Sequence, residues 1–263
     1  MGSTANSYGD VTVDIGTDGV ATVEIHRPPS NFFDAQLIRS ISEVYEALDE
    51  DPACRAIVLC SEGKHFCAGA NFGAQAATPA PSEGDAPDLY AMAVRMIVSK
   101  TPVVAAVQGA AIGGGLGLAC SADFRVGCSD SRMAANFAQL GFHHGFGLTI
   151  TLPPIVGQQK AMDMLLTGRR VAGEEAHAMG LLDRFVELAE VRNEAHRMAA
   201  EIAKSAPLAV VSIRETMRAG IGDRYRQATE REAREQAALR ATEDFKEGIR
   251  ASAERRTPEF QGR

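Results

Sequence analysis

The sequence predicts an α/β core followed by a helical C-terminal region. Short apolar runs of strand length alternate with stretches of helical periodicity through the first half of the chain. Beyond Leu148 the pattern is nearly all helical. A Gly-rich turn at 109–117 joins a strand pattern to a helix pattern between these regions. Strands mixed with helices, then helices alone, indicate one sheet-bearing core with an appended helical layer. We place the division at residue 190, giving 1–190 as core and 191–263 as helical region.

Each element has its own signal. Residues 11–15 and 20–25 alternate apolar and polar side chains around Thr17-Asp18-Gly19, which predicts a β-hairpin. Pro28-Pro29-Ser30-Asn31 then breaks the chain, and Asp34 is placed to cap a helix. The apolar residues of that helix are Leu37, Ile38, Ile41, Val44, Tyr45 and Leu48. Residues 56–60 and 103–107 read as short buried strands, with a helix at 89–98 between them. The Ala-, Pro-, Gly- and Ser-rich stretch 73–88 predicts a mobile surface loop. A small-residue helix and a strand at 124–126 follow the Gly-rich turn. The clearer helices after that are 173–179, 191–204, 208–218 and 224–245.

Composition narrows the function. No apolar run in the 263 residues reaches the ~18 that a membrane-spanning helix needs. The first residues show neither a basic nor an apolar signal segment, so a soluble, cytoplasmic protein is expected. Five cysteines without a CxxC pair predict reduced, buried thiols and no metal site. A formal charge of −7 without a basic cluster argues against nucleic acid.

Two segments could carry chemistry. One is His65-Phe66-Cys67-Ala68-Gly69-Ala70-Asn71, directly after a strand. The other is Gln108-Gly109-Ala110-Ala111-Ile112-Gly113-Gly114-Gly115-Leu116-Gly117. Small residues at a helix start let backbone N–H groups approach a ligand oxygen, and the helix dipole favours negative charge there. Two such groups converging would form an oxyanion hole. Either segment alone is better read as glycines packing a helix on a strand. The glycines fit neither the P-loop nor the dinucleotide fingerprint.

Together these segments resemble the enoyl-CoA hydratase/isomerase (crotonase) superfamily. Arg27-Pro28 with Asn31, Lys100 to Val107, Ala122-Asp123, Leu166 to Arg170, Ala176 to Leu182, and Arg255-Arg256 with Phe260 fall in family order. The resemblance spans about residues 10–262. It implies a crotonase (ClpP-like) spiral of β-β-α units, with C-terminal helices that build homotrimers or homohexamers. It implies an acyl-CoA substrate, coenzyme A as part of that substrate with no cofactor bound permanently, and a place in fatty acid metabolism. It puts the oxyanion donors at Ala68 and Gly114, and coenzyme A contacts at Lys64, Ala68, Ala70 and either Phe260 or Arg256.

The chain departs from the hydratase pattern at both acid–base positions. The resemblance sets the two glutamates of family hydratases at Gly117 and Phe137, neither of which can carry a proton. Downstream lies Gly141-Phe142-His143-His144-Gly145-Phe146-Gly147. His144 falls level with a tyrosine of decarboxylating members and an aspartate of dihydroxynaphthoyl-CoA-forming members. An imidazole titrates near neutrality, so His144 is the expected acid–base residue, with His143 and Phe137 in the substrate site. The other reading is that one histidine caps the next helix and the other is solvated. The remaining four of the six histidines have structural or surface contexts. The expectation is therefore a lyase or isomerase acting through a thioester enolate, with hydration itself in doubt. The alternative is a non-catalytic acyl-CoA binding or carrier protein.

Overall fold

The computed structural model describes residues 6–71 and 85–263. β1 (Asn6–Tyr8), β2 (Val11–Ile15) and β3 (Val20–Ile25) pair antiparallel, with Val13 opposite Val23. From β3 onward the sheet is parallel, continuing through β4 (Ala56–Ser61), β5 (Val103–Val107), β7 (Phe124–Gly127) and β10 (Arg184–Phe185). A smaller sheet joins β6 (Ala110–Ile112), β8 (Arg132–Ala134) and β9 (Arg170–Ala172), and a single bridge ties Cys67 to Ala111 beside β6. The chain thus passes from large sheet to small sheet three times: β4 to Cys67, β5 to β6, β7 to β8. This is the expected β-β-α spiral.

β4 and β5 are buried along their whole length because helices cover both faces. On one side lie α1 (Ala35–Asp49) and α2 (Asp85–Ile97), with Ile38, Ile41, Ala93 and Ile97 in the main core. On the other lies α7 (Val191–Ala203). Its small residues Ala195, Ala199 and Ala203, four apart, let it settle on Val20, Val58, Val104 and Val126. Asp34 caps α1 as expected, accepting from Leu37 N at 2.9 Å.

The remaining helices are α3 (Gly114–Ser121), α4 (Leu148–Val156), α5 (Gln158–Thr167), α6 (Gly173–Ala178), α8 (Pro207–Met217), α9 (Ile221–Arg240) and α10 (Glu243–Glu254). Three expectations need correction. The region after Leu148, expected to be nearly all helical, also contributes two short strands, β9 and β10. The helix expected over 224–245 is two helices, because Thr242 restarts the chain by capping α10 at Phe245 N, 3.2 Å away. The expected loop at 73–88 lies outside the described residues up to 84, and 85–88 already belong to α2. No described helix is long and apolar enough to cross a membrane.

Candidate active site

Two segments meet because buried amides knit them together. Phe66 N donates to Gln108 O at 2.8 Å, Cys67 N to Ala110 O at 2.9 Å and Ile112 N to Cys67 O at 3.0 Å. Gln108 Nε2 donates to Ser61 O at 2.7 Å. The fully buried Asn31 donates through Nδ2 to Glu62 O and His65 O, at 2.8 and 2.6 Å. His65 Nδ1 accepts from Ala110 N at 3.1 Å, which is a structural role. The result sets Ala68 and Gly69 beside the start of α3. A Cβ built on Gly69 would lie 3.6 Å from Gly114 N.

Gly114 is the first residue of α3, so its N–H has no acceptor within the helix. It must be glycine for a second reason: a Cβ there would fall 2.1 Å from the Phe33 ring. Ala68 N–H donates to Ser30 O at 3.0 Å, and Phe33 N to Gly69 O at 3.0 Å. One of the two expected donors is therefore already engaged by the chain's own carbonyl.

A cavity of about 500 Å³ opens over this junction, with Ala68, Ala70 and Gly114 on its wall. Phe33, Phe137, Phe142 and Phe146 are part of the lining, and Ile249, Ser252 and Ala253 of α10 contribute from the C-terminal region. Polar groups enter from α2 and α9. Tyr90 donates its hydroxyl to Gln236 Oε1 at 3.2 Å, and Gln236 Nε2 donates to His143 O at 3.1 Å. Burial pushes the Tyr90 pKa up, so the phenol stays protonated. Arg240 also lines the cavity, its guanidinium 5.4 Å above the Phe142 ring, and burial lowers its pKa.

The expected residues divide. Ala68, Ala70, Gly114 and Phe137 are brought together on the cavity wall. His144 and His143 are not on that wall. His144 Nε2 lies 2.8 Å from Thr149 Oγ1 and 3.7 Å from Glu232 Oε1, and the two imidazoles stack at 4.1 Å. The physical reason is Glu232 of α9, which is 1% exposed. It accepts from Gly147 N at 2.8 Å, Thr149 N at 3.2 Å and Thr149 Oγ1 at 2.6 Å, fixing the start of α4 and the imidazole beside it. Burial raises the Glu232 pKa, while those three donors pull the other way.

Lys64 is exposed at a separate small cavity with Gln108 and Arg192. Phe260 and Arg256 lie with Arg170 and Arg255 in a second cavity of about 720 Å³, which shares Ile112, Asn136, Leu140 and Ser252 with the first. Sequence reasoning missed Tyr90, Gln236, Glu232 and Arg240. Among the described residues, no group of three His, Cys, Asp or Glu side chains could hold a metal ion.

Comparison with known proteins gives a consistent answer. The model of the enoyl-CoA hydratase/isomerase family matches residues 16–263. A carnitinyl-CoA dehydratase of Salmonella arizonae is 33% identical, over 92% of this chain and 95% of its own. A probable enoyl-CoA hydratase of Bacillus subtilis is 31% identical, over 92% of this chain and 95% of its own. An enoyl-CoA hydratase/isomerase structure from Pseudoalteromonas atlantica superposes with a TM-score of 0.86 at 28% identity, covering 96% of this chain and 100% of that one. A carnitinyl-CoA dehydratase structure from Mycobacterium avium gives 0.85 at 28% identity, covering 97% and 99%. Fold, site and sequence converge: the chain belongs to the enoyl-CoA hydratase/isomerase family.

Proposed function

We propose that the chain binds an acyl-coenzyme A thioester with its acyl group in the aromatic cavity and its carbonyl oxygen at the start of α3. The observation that carries this is Gly114, whose N–H has no helical acceptor and lies on the same cavity wall as Ala68. Ala68 N–H is the second donor of this reading. Its present bond to Ser30 O would have to be given up for one to the thioester, with the carbonyl of Ser30, a partly exposed residue, turning to water. Phosphates of coenzyme A would find Arg170, Arg255 and Arg256 in the neighbouring cavity.

Enolate chemistry follows from carbonyl polarisation in a dry, aromatic pocket. Hydration also needs a group to place water and take its proton. Gly117 and Phe137 cannot do so, and the buried Tyr90 phenol is a proton donor rather than a base. Decarboxylation, which needs a proton donor but no base, therefore suits the site better than hydration, while isomerisation or C–C cleavage would need a base from beyond the described wall. His144 acts in this reading as a positioning residue, through Thr149 and the loop that bears Gly145. Five unpaired, buried cysteines favour a reducing compartment such as the cytoplasm.

The test is calorimetric binding of acyl-CoAs beside turnover of crotonyl-CoA, a 3-enoyl-CoA and malonyl-CoA. We expect micromolar binding, about −8 kcal/mol, which Gly114→Pro abolishes by removing the N–H. Crotonyl-CoA should be hydrated slowly if at all. Undiminished binding by a folded Gly114→Pro protein would sink the oxyanion assignment. A second reading, a non-catalytic acyl-CoA binder, is favoured by the lack of a carboxylate or imidazole on the described cavity wall. Tight binding without turnover across the panel would decide for it.

A further inference from the structure

The acyl cavity contains a charge that an ordinary fatty chain does not need. Arg240, the last residue of α9, lines the cavity among Leu140, Phe142 and Ile249. Its Nε is buried and has no hydrogen-bond partner, and among the described residues no carboxylate pairs with its guanidinium. The ring of Phe142 at 5.4 Å is its recorded neighbour. Elsewhere in the fold, buried arginines are matched: Arg125 by Asp183 at 2.8 Å, and Arg214 by Asp123 at 2.9 Å. A half-buried guanidinium without a carboxylate partner among the described residues, in a cavity lined mainly by apolar surface, is costly to the empty protein, and its planar fork is shaped for a carboxylate.

Resting on the acyl-CoA reading above, we infer that Arg240 recognises a carboxylate carried by the acyl group, so that the preferred substrates are monothioesters of dicarboxylic acids. The thioester carbonyl would lie at Gly114 and the free carboxylate at Arg240, with Tyr90, Gln236 and Ser252 among the other polar groups of the same cavity. Two parallel N–H···O bonds from the guanidinium would satisfy both partners away from water. An acyl chain bearing a quaternary ammonium would be repelled.

Succinyl-, glutaryl-, adipoyl- and suberyl-CoA bound by calorimetry, each beside the straight-chain monoacid thioester of equal carbon number, test this. Trimethylammoniobutyryl-CoA and free CoA complete the panel. At one chain length the diacid should bind at least tenfold more tightly than its monoacid partner. Arg240→Met should erase that preference, and Arg240→Lys should keep part of it. The cationic thioester should bind most weakly. No diacid preference at any length, or a preference that survives in Arg240→Met, overturns the inference while leaving acyl-CoA binding in place. So does an Arg240→Met protein that loses affinity equally for free CoA, since the arginine would then hold a coenzyme A phosphate. If no thioester binds the wild-type protein, the reading of the whole site fails, and this inference with it.

Discussion

At Gly117, α3 leaves no room for a side chain: a Cβ would lie 2.9 Å from Cβ and Cδ1 of Phe146 and 3.0 Å from its carbonyl oxygen. Phe146 cannot easily yield, being fully buried and held at φ +58° with its carbonyl accepting from Tyr225 Oη at 2.9 Å. Putting back the two hydratase carboxylates by Gly117→Glu with Phe137→Glu should therefore destabilise the protein without raising crotonyl-CoA hydration. Overpacking of this kind costs about 1–3 kcal/mol. Adding Phe146→Gly removes both side-chain contacts and suits the positive φ, so the triple variant should recover hydration relative to the double one, as read by melts and initial rates. A well-folded double variant that hydrates briskly would contradict this packing.

His144 gives a second test at this scale. Burial and the stacked His143 hold its pKa down to about 4, against about 6.5 for an unperturbed histidine. The unfolded chain thus takes up the proton first as pH falls. Stability present above about pH 6.5 is lost towards pH 4, by up to about 3 kcal/mol. Glu232, with its pKa raised by burial, works in the opposite sense, so the readout is a difference between proteins. Urea midpoints should fall more steeply from pH 7 to 4.5 in the wild type than in His144→Asn. Parallel slopes would remove the histidine from the account. That Gly117 and Phe137 cannot move a proton was legible in the sequence, because neither side chain titrates. Arg240 and Tyr90 were not, because one charged residue among the many charges of α9, or one aromatic in an amphipathic helix, reads as an ordinary surface or core position.

Among elements, α8 shows how a helix can be anchored without a core of its own. None of its residues is buried. Instead, Arg214 Nε reaches Asp123 Oδ1 and Oδ2 at 3.0 and 2.9 Å, and Arg218 Nη1 reaches Oδ1 at 2.8 Å. The same carboxylate accepts from Val103 N at 2.8 Å, tying the helix to the start of β5. Asp123→Ala leaves two largely buried guanidinium groups uncompensated and should cost about 3–5 kcal/mol in urea unfolding. A loss below about 1 kcal/mol, the range of exposed pairs, would show that the clamp is a surface bridge. The longer elements were legible because period and capping residues agree, as for α1 behind Asp34. β6, β8 and β9 were not, since three residues are too few to display an alternation. Their strand character comes from pairing across the spiral, which is a tertiary property.

For the whole molecule, the apolar side chains left outside the fold set the expectation of assembly. Leu208, Ile213 and Met217 of α8 are 86, 63 and 80% exposed. Burying such side chains fully contributes about 1.5–3 kcal/mol each, and a helix clamped at Asp123 presents them without further ordering cost. The expectation that goes with the family resemblance is that further copies of the same chain cover them, in a trimer or hexamer. Apolar residues stand in both helices in the sequence, yet it could not show that α7 would bury its own on the sheet while α8 would not. Light scattering at micromolar concentration should give three or six times the 28.0 kDa of one chain. The double variant Leu208→Glu with Met217→Glu should fall to a single chain while keeping its melting cooperativity, since neither residue supports the monomer core. A monomeric wild type would overturn the assignment. Assembly also bears on binding: Arg255 and Phe260 are exposed at the mouth of the second cavity, where a neighbouring chain could close over coenzyme A. If it does, the monomeric double variant should lose affinity for free CoA as well as for its thioesters, and if the site is complete within one chain that affinity should survive dissociation.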